Sequence, residues 1–146
     1  MTEEYSIKIE NRLDDLKLLK PFIDIAAKEW SIPPDIVFNI SLAFDELVSN
    51  AIFYAFQDKL IHEIDIKMTL NDGLIVITLA YGGKEFNPLF APEPDLDAKL
   101  EDRKIGGLGI FLVRQFMDTM DYQRIGDKNY ITISKKMTNK SKVDNV

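Results

Sequence analysis

Glu46 and Asn50 stand four residues apart in FDELVSNAIFYAF, a spacing that puts a carboxylate and a carboxamide on one helical face. That pair has chemistry to offer. An amide oxygen is a neutral hard ligand that suits Mg²⁺, which prefers oxygen donors and keeps several waters. A nearby glutamate can orient or deprotonate a hydroxyl or water attacking a phosphate. On a wheel of about 100° per residue, Asn39 falls about 20° and Asn50 about 40° from Glu46. The apolar stripe of Ile36, Val37, Ile40, Ala43, Phe44, Leu47 and Ala51 begins about 60° away, while Ser41, Asp45 and Ser49 lie towards water. Glu46 and Asn50 therefore border a core, where a carboxylate and an amide cost free energy unless something satisfies them. By itself, E-x-x-x-N fits a boundary pair bonded to neighbouring backbone as well as it fits a site.

Two glycine stretches could supply the rest of a site. Gly106-Gly107-Leu108-Gly109 directly precedes the amphipathic run IFLVRQFM. Free amides at a helix N-terminus bind anions, and glycine lets a phosphate approach the backbone; a glycine-capped helix start would look the same. No Lys-Ser/Thr follows, so it is not a Walker loop, and an irregular segment rather than a strand precedes it, which excludes a Rossmann turn. The second stretch is AYGGKEFNPLF, residues 80–90, where Gly82 and Gly83 follow a strand-like run and Phe86-Asn87-Pro88 makes a turn, the outline of a loop bent around a ligand. Thr132, in NYITIS, could reach such a pocket from the last strand, although strand propensity explains it equally well. His62, the one histidine, has the spacing of a surface or pairing residue, and Arg114 and Arg124 read as solvated.

These residues need elements to position them. Residues 4–10 alternate as a strand, Leu13 to Trp30 carries helical spacing, and SIPPD stops that helix and starts a second, with Ser31 as its cap. The second helix extends to about Phe56. Residues 61–70 alternate, and Asn71-Asp72-Gly73 predicts a hairpin into LIVITLAY. Residues 82–105 form the one long irregular stretch, of the kind that serves as a lid. A helix from the glycine box and a last hairpin, DYQRI to NYITISKK, turning at Gly126-Asp127-Lys128, complete the order. That order predicts an α+β fold, a two-layer sandwich of mostly antiparallel sheet with helices on one face. One domain over residues 1–137 and a polar tail at 138–146 are expected.

Bulk properties bound the function. The 146 residues suffice for one sizeable core, and the net charge of −6 speaks against direct nucleic-acid binding. Without cysteine there are no disulfides, thiol nucleophiles or thiolate metal sites. The N-terminus has no signal-peptide pattern and no uncharged apolar run approaches the ~20 residues of a membrane span, so a cytoplasmic protein with no membrane partner is expected.

Taken in order, ELVSNA, then Y-G-G-K-E-F-N-P, then R-K-I-G-G-L-G-I-F-L-V-R resemble the histidine-kinase-like ATPase fold, in its branch of bacterial anti-sigma factors with serine-protein kinase activity. The likeness covers nearly the whole chain, including an ending with Tyr122, Arg124, Gly126 and Asn129. It implies ATP and Mg²⁺ as cofactors, with Glu46 as catalytic base and Asn50 as Mg²⁺ ligand. Gly83 would shape the adenine pocket, and Gly106, Gly107, Leu108 and Gly109 would wrap the phosphates under a lid of residues 89–105. It further implies transcription regulation through a sigma factor that the protein holds, an anti-anti-sigma partner phosphorylated on serine, and in many members a homodimer. One position departs. The family pattern is roughly D-x-G-x-x-F-D-P, its aspartate reading the adenine amino group, and Tyr81 stands at that aspartate. Losing one buried charge-assisted hydrogen bond costs about 1.5–3 kcal/mol, or tenfold to over a hundredfold in affinity. Two readings stay open: an ATP-using serine kinase, or a non-catalytic binding module of the same fold.

Overall fold

The computed structural model describes residues 3–90 and 107–137. The polar tail at 138–146 and residues 91–105 of the expected lid lie outside them. Five strands, β1 (Glu3–Glu10), β2 (Glu63–Asn71), β3 (Leu74–Tyr81), β4 (Thr119–Ile125) and β5 (Lys128–Lys136), form one sheet in the order β1-β2-β3-β5-β4. Every neighbouring pair is antiparallel. Helices α1 (Leu19–Trp30), α2 (Pro34–Tyr54) and α3 (Gly107–Phe116) pack on one face, giving the α+β sandwich that the element order predicts.

Strand alternation decides which residues meet the helices. Along β3, Ile75, Ile77, Leu79 and Tyr81 are buried, and their partners Ile133, Ile131 and Asn129 on β5 are buried with them. The opposite face of the sheet carries Lys8, Asp65, Thr78, Tyr130 and Thr132. Against the inner face α2 lays Ile36, Ile40, Ala43, Phe44, Leu47, Val48 and Ala51, all buried. A fully buried Leu such as Leu47 contributes roughly 1.5–3 kcal/mol through the apolar area it removes from water. Helix α2 is long and apolar enough by length and composition to cross a membrane, yet here that apolar stripe is the core of the sandwich.

The hairpins follow their turn residues. Asp72 (φ 51°) and Gly73 (φ 77°) take positive φ between the paired Asn71 and Leu74, as a two-residue turn that matches strand twist requires. The second hairpin turns on Gly126 and Asp127 alone, because Lys128 already pairs with Ile125.

Three helix boundaries differ from the sequence pattern. Leu13–Leu18 is a 3-10 helix, and α1 starts only at Leu19. Pro21 is the reason: without an N–H it fits the first turn of an α-helix and cannot sit deeper. Ser31 does not cap α2; it closes α1 in the left-handed region (φ 54°, ψ 48°), and Pro33 precedes α2 with Pro34 in its first turn. Helix α2 ends at Tyr54, two residues short of Phe56.

Candidate functional site

The wheel position of Glu46 and Asn50 is reproduced. Asn50 is buried at 6% exposure, Glu46 is half-buried, and Asp45 is exposed. Asn50 is thus a buried carboxamide at the edge of α2, a polar group that costs free energy there unless a partner satisfies it. Glu46 reaches across to α3. A Cβ built on Gly109 would overlap the Glu46 carboxylate, so glycine at 109 leaves room for that carboxylate against the first turn of α3, and a side chain there would push it aside. Desolvation, with the negative charge of Asp45 second, pushes the Glu46 carboxyl above its ordinary value. A carboxylate that holds its proton more tightly is the stronger general base.

Gly107 and Leu108 open α3 as the glycine box predicts, and Gly106 lies outside the described residues. The structure thus brings Glu46 and Gly109 together, with Asn50 one turn further along α2 and Gly107 and Leu108 adjoining along the α3 backbone.

At the far end of α2 stands the Gly82–Phe86 turn. Gly83 has φ +78°, and a Cβ there would run into the Ala55 carbonyl just past α2 and come within 3.1 Å of the Phe56 ring. Lys84 N–H donates to the Ala55 carbonyl at 2.8 Å. Asn87 makes the turn that its type allows, its side-chain oxygen accepting from Leu89 N–H at 2.9 Å.

Tyr81 lies inside the molecule at 1% exposure, its O–H 3.5 Å from the Phe86 carbonyl and its ring 6.3 Å from Phe56. Burial, with Tyr122 second, holds its phenol well above the usual tyrosine range, so it is neutral at any physiological pH. Phe86 in turn packs on Tyr54 at 5.3 Å. Tyr54, Phe56, Tyr81 and Phe86 together make an aromatic cluster between the end of α2 and the end of β3.

Two predicted placements change. Thr132 pairs with Thr78 on the sheet face turned away from the helices, so it does not join Glu46, Asn50 and Tyr81. Arg124 is not simply solvated: it is half-buried and donates to the Gly83 carbonyl at 3.1 Å and the Gly126 carbonyl at 3.2 Å. Arg114 is exposed as expected. His62 has its pairing role, 2.8 Å from Asp58 and stacked on Phe56 at 4.8 Å.

One residue of the site carried no role in the sequence. Asn129 is fully buried, accepts from Phe86 N–H at 3.1 Å and Tyr122 O–H at 2.5 Å, and donates to the carbonyls of Tyr81, Gly82 and Lys84. The signal for it was an asparagine on the inward parity of a strand ending beside a glycine turn.

The family model of the histidine kinase-like ATPase domain matches residues 9–135. The serine/threonine-protein kinase BtrW of Bordetella bronchiseptica is 32% identical over 99 residues, 66% of this chain and 68% of that protein. Among solved structures, the RsbU and RsbW domains of a Mycobacterium tuberculosis protein align with a TM-score of 0.65 at 9% identity over 92% of this chain. The histidine kinase domain of a blue-light activated kinase from Erythrobacter litoralis aligns with a TM-score of 0.56 at 16% identity over 76% of it. The chain spans 32% and 49% of those two chains, a likeness of fold. With most of its length matched by the family model and a kinase relative sharing about a third of aligned residues, this chain belongs to the histidine kinase-like ATPase domain family.

Proposed function

We propose that this chain is a nucleotide-binding regulator of the anti-sigma, serine-kinase kind, which holds Mg-ATP and passes its terminal phosphoryl group to a serine of an anti-anti-sigma partner. The observation that carries the reading is the Glu46 carboxylate lying against Gly109 at the start of α3, with the buried Asn50 one turn further along α2. In this reading the Asn50 carboxamide oxygen holds the Mg²⁺, which neutralises charge on the phosphate oxygens when bound. The amides at the start of α3 take the phosphates. Glu46 accepts the proton of the serine hydroxyl as its oxygen bonds to phosphorus and ADP leaves. The likeness to a serine/threonine-protein kinase supports this choice of reaction, and the partners, a sigma factor among them, follow from the resemblance of the three sequence motifs.

Tyr81 favours a second reading, a non-catalytic binding module. Its ring is buried where the family pattern has the adenine-reading aspartate, so a nucleotide would be held mainly through its phosphate end. Calorimetric titration with Mg-ATP and Mg-ADP separates the two. Weak binding of both, removed by Asn50→Ala, together with label transfer from ATP to an anti-anti-sigma protein, is expected. No heat and no thermal shift at millimolar nucleotide would overturn the kinase reading in favour of the second.

A further inference from the structure

The Gly82–Phe86 turn is held from two sides, and Asn129 is the main point of attachment on one of them. Its Nδ2 donates to the carbonyls of Tyr81 (3.4 Å), Gly82 (3.0 Å) and Lys84 (3.0 Å), while its Oδ1 takes the Phe86 N–H (3.1 Å). One side chain thus fixes both arms of the turn, which no backbone ladder could do because the turn leaves the sheet at Tyr81. Tyr122 O–H donates to the same Oδ1 at 2.5 Å and fixes which way the carboxamide faces. Arg124, from the same β4–β5 hairpin, takes a further carbonyl of the turn, Gly83, at 3.1 Å. On the other side, Lys84 N–H bonds to the Ala55 carbonyl, and Gly83 lies against Ala55 too closely for any side chain.

The C-terminal hairpin and α2 therefore grip the turn between them. Ala55 follows Asn50 by five residues, about 7.5 Å along the helix axis at 1.5 Å per residue. That puts the turn roughly a nucleoside's length from the phosphate end proposed around Asn50 and Gly109.

We infer that Asn129 is a positioning residue: it holds the Gly82–Phe86 turn, against the end of α2, in the shape that receives the nucleoside half of a bound nucleotide. Its action on a ligand rests on the nucleotide reading above; its hold on the turn does not. Carbonyls tied to Asn129 and Arg124 cannot swing away, so the turn meets a ligand already ordered and pays little entropy on binding.

The experiment uses the full chain and Asn129→Ala, with Tyr122→Phe and Arg124→Ala as milder variants that each remove one donor. Hydrogen exchange without ligand comes first. The amides of Lys84 and Phe86 should exchange at least tenfold faster in Asn129→Ala, and measurably faster in Tyr122→Phe and Arg124→Ala, while those of β2 and β3 keep their protection. Calorimetry with Mg-ADP and with Mg-pyrophosphate follows. Asn129→Ala should weaken Mg-ADP tenfold or more and leave Mg-pyrophosphate within twofold, since pyrophosphate lacks the half that the turn receives. A residue needed only for folding would weaken both alike. If Asn129→Ala does not fold, the two milder variants decide, with smaller losses confined to Mg-ADP. Unchanged exchange at Lys84 and Phe86, or equal loss of both ligands, would overturn the inference. If the wild type bound neither ligand while exchange rose as expected, the nucleotide reading would fail and the hold of Asn129 on the turn would stand.

Discussion

Tyr81 and Glu46 are the two residues whose ionisation and size decide what the site can do. Replacing Tyr81 by Asp removes a ring at 1% exposure, so a loss of stability near the ~3–5 kcal/mol of large-to-small aromatic substitutions is expected in urea unfolding. In the folded fraction, a carboxylate at that position should tighten ATP by the ~1.5–3 kcal/mol of one charge-assisted hydrogen bond and leave GTP behind. Calorimetry with both nucleotides checks this; unchanged ATP affinity in a folded variant would place Tyr81 outside any base-reading position. For Glu46, desolvation and Asp45 raise the carboxyl in the folded state. Between its ordinary value and that raised one the native state holds more proton than the unfolded chain, so this group's contribution to stability falls as pH rises. Glu46→Gln should therefore raise Tm at pH 7, by less than full burial would give because the side chain is half-exposed, and the gain should vanish below the ordinary glutamate range. The same substitution should abolish phosphoryl transfer with nucleotide affinity nearly intact. A Tm gain that persists in acid would show that the carboxylate's charge is not what costs stability.

Helix α2 and helix α3 are joined through one glycine. Gly109→Ala would place a methyl group where the Glu46 carboxylate lies. Because that carboxylate is the end of a flexible, half-exposed side chain it can swing aside, so the loss of stability should stay below the ~1–3 kcal/mol of core overpacking. Combining it with Glu46→Ala should recover most of that loss, a coupling that a double-mutant cycle in denaturant reads directly. Full additivity would mean that the Glu46 carboxylate does not rest against Gly109. The elements themselves were largely visible in the sequence wherever the signal is local. Asn71-Asp72-Gly73 names its turn, and the wheel of α2 separates Glu46 and Asn50 from Asp45 because one helix face is enough to decide it. Pro21 and Ser31 show the limit of the same reasoning: apolar spacing runs from Leu13, yet α1 starts only at Leu19 with Pro21 in its first turn, and Ser31 closes α1 where the sequence suggested a cap for α2. Thr132 was legible as well: Ile131 and Ile133 carry the apolar, core-facing parity of β5, and the pairing with β3 leaves Thr132 on the opposite face. Asn129 and Arg124 were hidden for a further reason, since they bond backbone carbonyls more than forty residues away and such contacts leave no spacing to read.

The proposed site draws on distant stretches of chain: α2 would supply Glu46 and Asn50, α3 the glycine start, and the end of β3 a turn gripped by the β4–β5 hairpin. A ligand that touches all of them ties the helix layer to the sheet, so its effect should spread beyond the residues it contacts. Ligand present at 100 times its Kd stabilises the native state by about 2.7 kcal/mol. For a chain of this length each kcal/mol is worth about 2–4 °C, which predicts a rise of roughly 5–11 °C in Tm with saturating Mg-ADP. The distribution of that stabilisation is the sharper test. Hydrogen exchange should slow both at the α2–α3 contact around Gly109 and at Lys84 and Phe86 in the turn. The core of β2 and β3, which already opens only with global unfolding, should slow by no more than the global gain. Protection at Gly109 alone would mean that the buried Tyr81 keeps the nucleoside half out of the turn and that only the phosphates are held. Protection at the turn alone would remove Glu46 and Asn50 from the binding site, and with them the role of either residue in phosphoryl transfer.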